Sequence, residues 1–454
     1  MKDQPLYKAL SDEIRSAILD GRLSPGDKLP SKRAMAAEKK LSIITVAGAY
    51  DLLVDEGFIE STERRGYFVS KSAVSRPPAP PPAPKKQAKP EPRPKFDFRS
   101  ASAAAEGFPF YTWAKLVRET ISEKDTRLLS AIDPKGVPEL REEISRRLSL
   151  SRGIICSPEQ IIIGAGSEYL IGLVYQLLGK GKCAVEDPGF TKAAKIYACL
   201  GAAPTFIPTD SEGIRVDLIT AAPDINIVHV TPSHSFPLGT VMSMSRRSEL
   251  ISWRRAVPGR YIVEDDFDSE FRYEGRCPSS LFALDSDGVI YMNTFTRTLA
   301  PSMRIGYIVL PPSLAERYEK HFSFYSSTVP AIEQYVLARF MKDGSLERHI
   351  NRMRRIYRRR RDALIESISK LGGDVEILGK EAGVHLLVRL PERLPETEVL
   401  KKAASLGVSL AGVSEYRREG SPSDPLYTNA LVMNFAGIGE DDIRKAVSLL
   451  AEAL

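Results

Sequence analysis

Along the first seventy residues, apolar positions recur at helical spacing and then change to strict alternation. Leu6, Leu10, Ile14 and Ile18 mark one face of a first helix, which SPGDKLPS brings to an end: Pro25 and Gly26 turn the chain, and Ser31 is placed to cap the next helix. The pattern predicts that second helix from about Lys32 to Lys39, a short connection at Lys40 and Leu41, and a third helix from about Ser42 to Gly57. FIESTERRGYFVS then alternates apolar and polar residues around a turn at Arg64, Arg65 and Gly66, as a two-stranded ribbon does. Short helices followed by such a ribbon predict a winged helix.

From Phe96 onward the rhythm is different. IIIGAG, CAVEDP, INIVHVTP, YIVEDDF, VIYMNTF and IGYIVLP are short and apolar on both faces, and helical stretches such as SEYLIGLVYQLL and TKAAKIYACLG come between them. Strands of that kind predict a largely parallel sheet covered on both sides. The last hundred residues, with VHLLVRLP, ETEVLKKAASLG, NALVMNFAG and DDIRKAVSLLAEAL, predict a small α+β subdomain. Between the two patterns, residues 71–95 hold nine prolines and almost nothing apolar beyond alanine, which predicts an extended linker. The expected domains are therefore 1–70, a linker at 71–95, and 96–454.

Charge sharpens this division. The net charge of +6 sits in the linker, where seven basic residues face Glu91 alone, while residues 1–70 carry eleven charges of each sign. A basic linker beside a winged helix either grips DNA phosphates or is a solvated spacer, and both readings stay open. No run of 18 apolar residues occurs, and the start mixes acidic residues into an amphipathic helix; the expectation is a soluble, cytoplasmic chain with no membrane partner. Cys156, Cys183, Cys199 and Cys277 lack CxxC spacing and nearby histidines, which predicts reduced, buried thiols and no metal site.

The segment PLYKALSDEIRSAILDGRLSPGDKLPSKRAMAAEKKL, continued by TVAGAYDLLVDEGFIES and GYFV, resembles the GntR regulators over its whole length. The resemblance implies that the third helix enters the major groove of DNA. It implies contacts from Ser31, Lys32 and Arg33 on the second helix, Ser42, Ile43 and Thr45 opening the third, and Arg64 and Arg65 in the wing. Ile43 stands where that family carries an arginine, and no basic residue occurs from Ser42 through Val54. An arginine would read guanine through two hydrogen bonds worth about 1–3 kcal/mol, which isoleucine cannot supply. Either the sequence preference is altered or binding is weaker.

The remainder resembles the aminotransferase-like domain of fold type I, with its segments in order: FPFYTWAKLVRE, DPKGVPELREEISRRLSLSRGI, IIIGAGSEYL, VEDPGF, VTPSHSFPLG, VEDDFDSEF and TFTRTLAPSMRIGY. A winged helix linked to such a domain is the arrangement of MocR-type regulators within the GntR family. The implied fold is α/β: an N-terminal winged helix-turn-helix, then a mainly parallel sheet with flanking helices and a small C-terminal α+β subdomain. A homodimer is implied as well.

The resemblance also implies a site for pyridoxal 5′-phosphate. Ala165 and Gly166 lead into a helix N-terminus that suits a phosphate, and Thr294 and Arg304 would join them. Phe190 would stack on the ring, Asp265 would pair with its nitrogen, and His234 would lie nearby; Phe267 stands where the family has a tyrosine. Thr296 and Arg297 belong to the cofactor-lysine segment, and Arg297 takes the place of the Schiff-base lysine itself. A lysine's neutral amine can attack the cofactor's aldehyde, whereas a guanidinium stays protonated and is a poor nucleophile. No lysine occurs between Lys195 and Lys320, and Lys192 is the one candidate near a ring-contacting segment.

The expectation is a DNA-binding transcription regulator that binds an operator. Its second domain dimerises and holds pyridoxal phosphate without a covalent bond, has lost it, or takes another small anionic or amino-acid-like effector. A working pyridoxal-phosphate aminotransferase of the aminoadipate or aromatic type, and a purely structural dimerisation module, are the alternatives. Arg417 and Arg418 are candidates for a substrate carboxylate, and the seven arginines of HINRMRRIYRRRRDALIESI, on a helix that the resemblance implies joins the subdomains, are expected to be solvated or paired within the chain rather than to bind nucleic acid.

Overall fold

Two serines frame the smaller unit. The Ser31 hydroxyl accepts the Ala34 N–H at 3.2 Å and starts α2 (Lys32–Lys39), after α1 (Leu6–Leu19). Lys40, at φ 55°, ends α2 in the left-handed conformation, and Ser42 caps α3 (Ile43–Asp55) by accepting the Thr45 N–H at 3.0 Å. Helix α3 stops two residues before the expected Gly57, whose φ of 76° turns the chain toward the ribbon. Strands β1 (Ile59–Thr62) and β2 (Gly66–Val69) pair antiparallel, with Ile59 opposite Val69 and Thr62 opposite Gly66. Leu10, Ile14, Ile18, Val46, Ala49, Tyr50 and Leu53 close the core over Ile59 and Val69. The Tyr50 hydroxyl, though buried, is satisfied by the Pro30 carbonyl at 2.9 Å.

The structure is a computed structural model that describes residues 5–63, 65–72, 94–99, 104–123, 126–179, 181–275, 277–372, 375–420 and 427–452. The extended conformation expected for the linker falls largely outside these residues, as does Arg64. The chain divides into two compact units, Met1–Glu91 and Pro92–Leu454.

In the larger unit, β3 (Phe96–Asp97) precedes helices α4 (Phe110–Ser122) and α5 (Pro138–Arg152). The main sheet comes next: β4 (Ile161–Gly164), α6 (Ser167–Leu178), β5 (Lys182–Asp187), α7 (Thr191–Cys199), β6 (Thr205–Asp210), β7 (Gly213–Ile214), β8 (Ile225–Val230), β9 (Tyr261–Asp265), β10 (Val289–Thr294) and β11 (Gly306–Val309). Their order across the sheet is β4-β11-β10-β9-β8-β5-β6-β7. The run from β10 to β6 is parallel, while β11 is antiparallel to both of its neighbours. This departs from a uniform β/α rhythm for a simple reason: the residues between Thr294 and Gly306 are too few for a helical crossover and make a hairpin connection instead.

The two-sided apolar pattern of the strands is explained by burial. Ile161, Ile163, Val289, Tyr291, Tyr307 and Val309 enter one core; Ile162, Ile290, Met292 and Ile308 enter the other, on the opposite face. The C-terminal subdomain is a second sheet, β12 (Glu376–Leu378), β13 (His385–Arg389), β16 (Ala430–Asn434) and β15 (Ala411–Gly412), while β14 (Val408–Ser409) pairs with β3.

Several arginines of the long helix Ser345–Ser369 are used inside the chain, while Arg355 and Arg359 are exposed. Arg354 donates to the Glu270 carbonyl at 2.9 and 3.1 Å, Arg358 to the Tyr273 carbonyl at 3.2 Å, and Arg361 to the Lys380 carbonyl at 2.9 Å. The cysteines correct one expectation. Cys183 in β5 is buried, Cys156 and Cys277 are half-buried, and Cys199 is exposed because it ends α7 on its outer side; all four are free thiols. Among the described residues, no helix is long and apolar enough to cross a membrane.

Candidate ligand cleft and nucleic-acid face

The C-terminal ends of the parallel strands open into a cleft of about 180 Å³. Asp265 closes β9 and Thr294 closes β10, while Thr231 follows β8 and Phe190 follows β5; all four line the cleft. Arg297 reaches it from the β10–β11 connection, and that loop is well pinned. The Phe295 N–H donates to the Ile305 carbonyl at 2.9 Å, Phe295 and Leu299 are buried, and His349 Nε2 lies 2.5 Å from the Thr298 carbonyl. Burial lowers the His349 pKa, so a neutral ring with its proton on Nε2 fits that bond.

Arg297 is half-buried, with the cleft on one side and the Asp268 carboxylate behind it. Burial pushes its pKa down and Asp268 pulls it back up; the guanidinium stays charged. Asp265 is almost fully buried. Its Oδ2 is 3.6 Å from His229 Nε2, whose Nδ1 is 2.9 Å from the Tyr197 hydroxyl. Among the described residues, Asp265 Oδ1 is buried with no hydrogen-bond partner. A buried carboxylate oxygen left in that state lacks the donor it requires, and a protonated ring nitrogen in the cleft is such a donor.

The anion end of the cleft is built on the first turn of α6. Arg304 Nη2 meets the Ala165 carbonyl at 3.3 Å and Glu168 Oε2 at 2.9 Å, and Lys192 Nζ meets Glu168 Oε1 at 3.0 Å. Glu168 is thus an internal anion held between two cations. The Lys192 hydrogen bond, helped by the charge of Arg304, keeps its carboxyl below the usual range. Gly166, with φ 90°, lies so close to Arg304 that an added Cβ would stand 2.8 Å from Nη2. The Ala165 N–H donates to the Thr328 hydroxyl at 3.0 Å and the Gly166 N–H to the Gly164 carbonyl at 2.8 Å, so these two hold the turn, and Ser167 and Glu168, which open α6, line the cleft.

Of the residues expected around a ring and phosphate, Phe190, Asp265, Phe267, Thr294, Thr296, Arg297 and Arg304 line this one cleft. His234 does not. It is buried behind the wall, with Nδ1 2.9 Å from Asp268 Oδ2 and its ring 4.7 Å from that of His385. These three side chains bring ligand atoms within 4.8 Å of one another. Burial, then His234 and Arg297, hold His385 far below its ordinary pKa, and a cation placed there would meet the Arg297 charge. Arg417 and Arg418 are not on the lining; the Arg418 guanidinium lies over the Phe206 ring at 5.4 Å.

Glu168 and Phe236 also line the cleft; they lie in the segments IIIGAGSEYL and VTPSHSFPLG, but the sequence alone assigned neither of them a role. Phe236 meets Phe267 edge-on at 6.4 Å and Tyr416 at 4.9 Å, making an aromatic wall. Beneath Thr231, Glu186 Oε2 accepts the Thr231 N–H at 3.1 Å and its hydroxyl at 2.5 Å. Burial raises the Glu186 carboxyl to about 7, and the nearby Asp265 charge adds to the rise.

On the smaller unit, Arg33, Ser42, Ile43, Ile44 and Arg65 are exposed around the starts of α2 and α3 and in the wing, with Thr45 half-buried. Ser31 and Ser42 spend their hydroxyls on helix caps. Lys32 is committed within the chain: Nζ is 3.2 Å from Asp51 Oδ1 and 5.2 Å from the Tyr67 ring centroid.

Residues 6–69 match the bacterial regulatory proteins of the gntR family, and residues 103–448 match the class I and II aminotransferases. The HTH-type transcriptional regulator YhdI of Bacillus subtilis (strain 168) is 36% identical over 99% of this chain and 96% of its own. The probable rhizopine catabolism regulatory protein MocR of Rhizobium meliloti is 30% identical over 99% and 94%. Among solved structures, an archaeal alanine:glyoxylate aminotransferase superposes with a TM-score of 0.70 at 23% identity, covering 81% of this chain and 92% of that one. That likeness establishes the fold of the larger unit. The chain belongs to the MocR-type, gntR-family transcription regulators, which join a DNA-binding winged helix to an aminotransferase class I and II domain.

Proposed function

We propose that this cytoplasmic, homodimeric regulator binds a phosphate-bearing ligand of the pyridoxal phosphate class without a covalent bond, and that occupancy of the cleft controls operator binding. The observation that carries this reading is the company Arg297 keeps: the position expected for an amine nucleophile holds a guanidinium, yet Asp265, Thr294 and Arg304 still line the same cleft. Arg304, Lys192 and the α6 N-terminus suit a phosphate, Phe190 and Phe236 suit the faces and edge of an aromatic ring, and Asp265 Oδ1 suits a ring N–H. When bound, pyridoxal phosphate supplies an electron-accepting ring for chemistry at amino-acid carbons. The residues of this chain bind and orient such a ring; Arg297 adds a fixed positive charge that favours an anionic group on the ligand and offers no amine for turnover.

Exposed Phe110 and Tyr111, 70% and 80% accessible at the start of α4, support a surface covered by a second copy. A second reading keeps enzyme activity alive through Lys192, whose ammonium lines the cleft beside Glu168. Borohydride reduction followed by peptide mass mapping separates the two. The regulator reading expects no pyridoxyl mass on the wild-type chain and a new one at position 297 in Arg297→Lys. A pyridoxyl mass on Lys192 of the wild type would establish the second reading and overturn the first.

A further inference from the structure

The first turn of α3 exposes two adjacent large apolar side chains, Ile43 at 51% and Ile44 at 83% accessibility. Neither packing nor helix propensity accounts for them. The face of α3 that builds the core is Val46, Ala49, Tyr50 and Leu53, and β-branched residues are poor helix formers. Two isoleucines facing water at a helix start are unfavourable for an isolated domain.

In a helix-turn-helix unit, however, the N-terminal turn of the second helix meets base edges in the major groove. The only large apolar group a B-DNA base pair presents there is the C5-methyl of thymine. Exposed Arg33 in α2 and Arg65 in the wing provide the flanking positive charge that keeps such a turn against phosphates. Ser42, which caps α3 through the Thr45 N–H, fixes the backbone from which both isoleucines project.

We infer that Ile43 and Ile44 read thymine methyl groups, so that the operator half-site of this regulator carries thymines where an arginine at the head of α3 would demand guanine. The inference rests on the DNA-binding reading of the winged helix and deepens it. Discrimination here is apolar: each buried methyl contributes affinity, while the phosphate contacts and their salt dependence are indifferent to it.

The test uses the full-length protein. Duplexes are selected from a random pool at low salt, and affinity is measured by fluorescence anisotropy on the selected duplex and on a copy with deoxyuridine in place of thymine. Selected half-sites are expected to share thymines, and uridine is expected to weaken binding about fourfold for each methyl that is lost. Ile43→Ala and Ile44→Ala, both at exposed positions, should bind the thymine duplex more weakly by a similar factor and lose sensitivity to uridine. Ile43→Arg should move selection toward guanine. Equal wild-type affinity for the thymine and uridine duplexes, or alanine variants that bind as the wild type does, would overturn the inference and leave DNA binding standing. Failure to retain any duplex would overturn the DNA-binding reading and this inference with it.

Discussion

Substitution of Glu186 by glutamine isolates a proton held under the ligand cleft. Folding raises this carboxyl from 4.5 to about 7, mainly by burial, with the Asp265 charge adding to it. Proton counting sets the sign. Between these values the folded chain holds a proton that the unfolded chain has released, so stability is highest at low pH and declines as pH rises through about 7. Weighting both states by their protonation, the loss contributed by this one group between pH 5 and pH 8 is on the order of 2–3 kcal/mol, and it is complete above the folded-state value. Glutamine has the same shape, still offers Thr231 an oxygen, and cannot ionise. In urea unfolding of the full chain, the difference in free energy between Glu186→Gln and wild type should therefore move by roughly 2–3 kcal/mol in favour of the variant from pH 5 to pH 8. A difference that is constant across this range would instead mean that Glu186 carries its charge in the folded state at little cost.

Three further outcomes are expected. Glu168→Gln removes the internal anion between Lys192 and Arg304, so calorimetric titration should show phosphate-bearing ligands binding roughly tenfold more tightly at low salt, with the gain shrinking as salt screens the freed cations. Leu53→Ala, at a fully buried position in the small unit, should cost about 2–5 kcal/mol and abolish operator binding, while ligand binding by the larger unit persists. Replacing Phe110 and Tyr111 by serine should shift sedimentation toward the monomer, and an unchanged dimer would show that this surface is not its seam.

Much of the architecture is written in local chemistry. The bounds of α2 were readable because a capping serine stands before it and Lys40 breaks the apolar pattern after it, and the strands of the main sheet were readable because both faces are apolar. Strand direction is a different matter: periodicity does not encode it, and the reversed β11 is set by the length of the loop that carries Arg297.

The cleft shows the same division. Asp265, Thr294, Arg297 and Arg304 sit in recognisable motifs and converge, but Glu168 becomes meaningful only when folding brings Lys192 and Arg304 to it across 24 and 136 residues. His234 lies in a suggestive motif and yet is turned away to Asp268 and His385. Lys32 is among the DNA contacts that the resemblance implies, but only the return of the ribbon brings the Tyr67 ring beside its ammonium. The elevated pKa of Glu186 depends on burial and on a neighbouring strand, neither of which has a signature of its own along the chain.

The proposed regulation depends on the aminotransferase-like unit binding its ligand without forming a bond to it. The most direct measurement is an equilibrium titration of the purified wild-type chain with pyridoxal 5′-phosphate, with the saturated sample then reduced by borohydride and weighed intact. A saturable isotherm with no gain in mass is the predicted result. A mass increase equal to the reduced cofactor, or a titration that shows no binding, would contradict it.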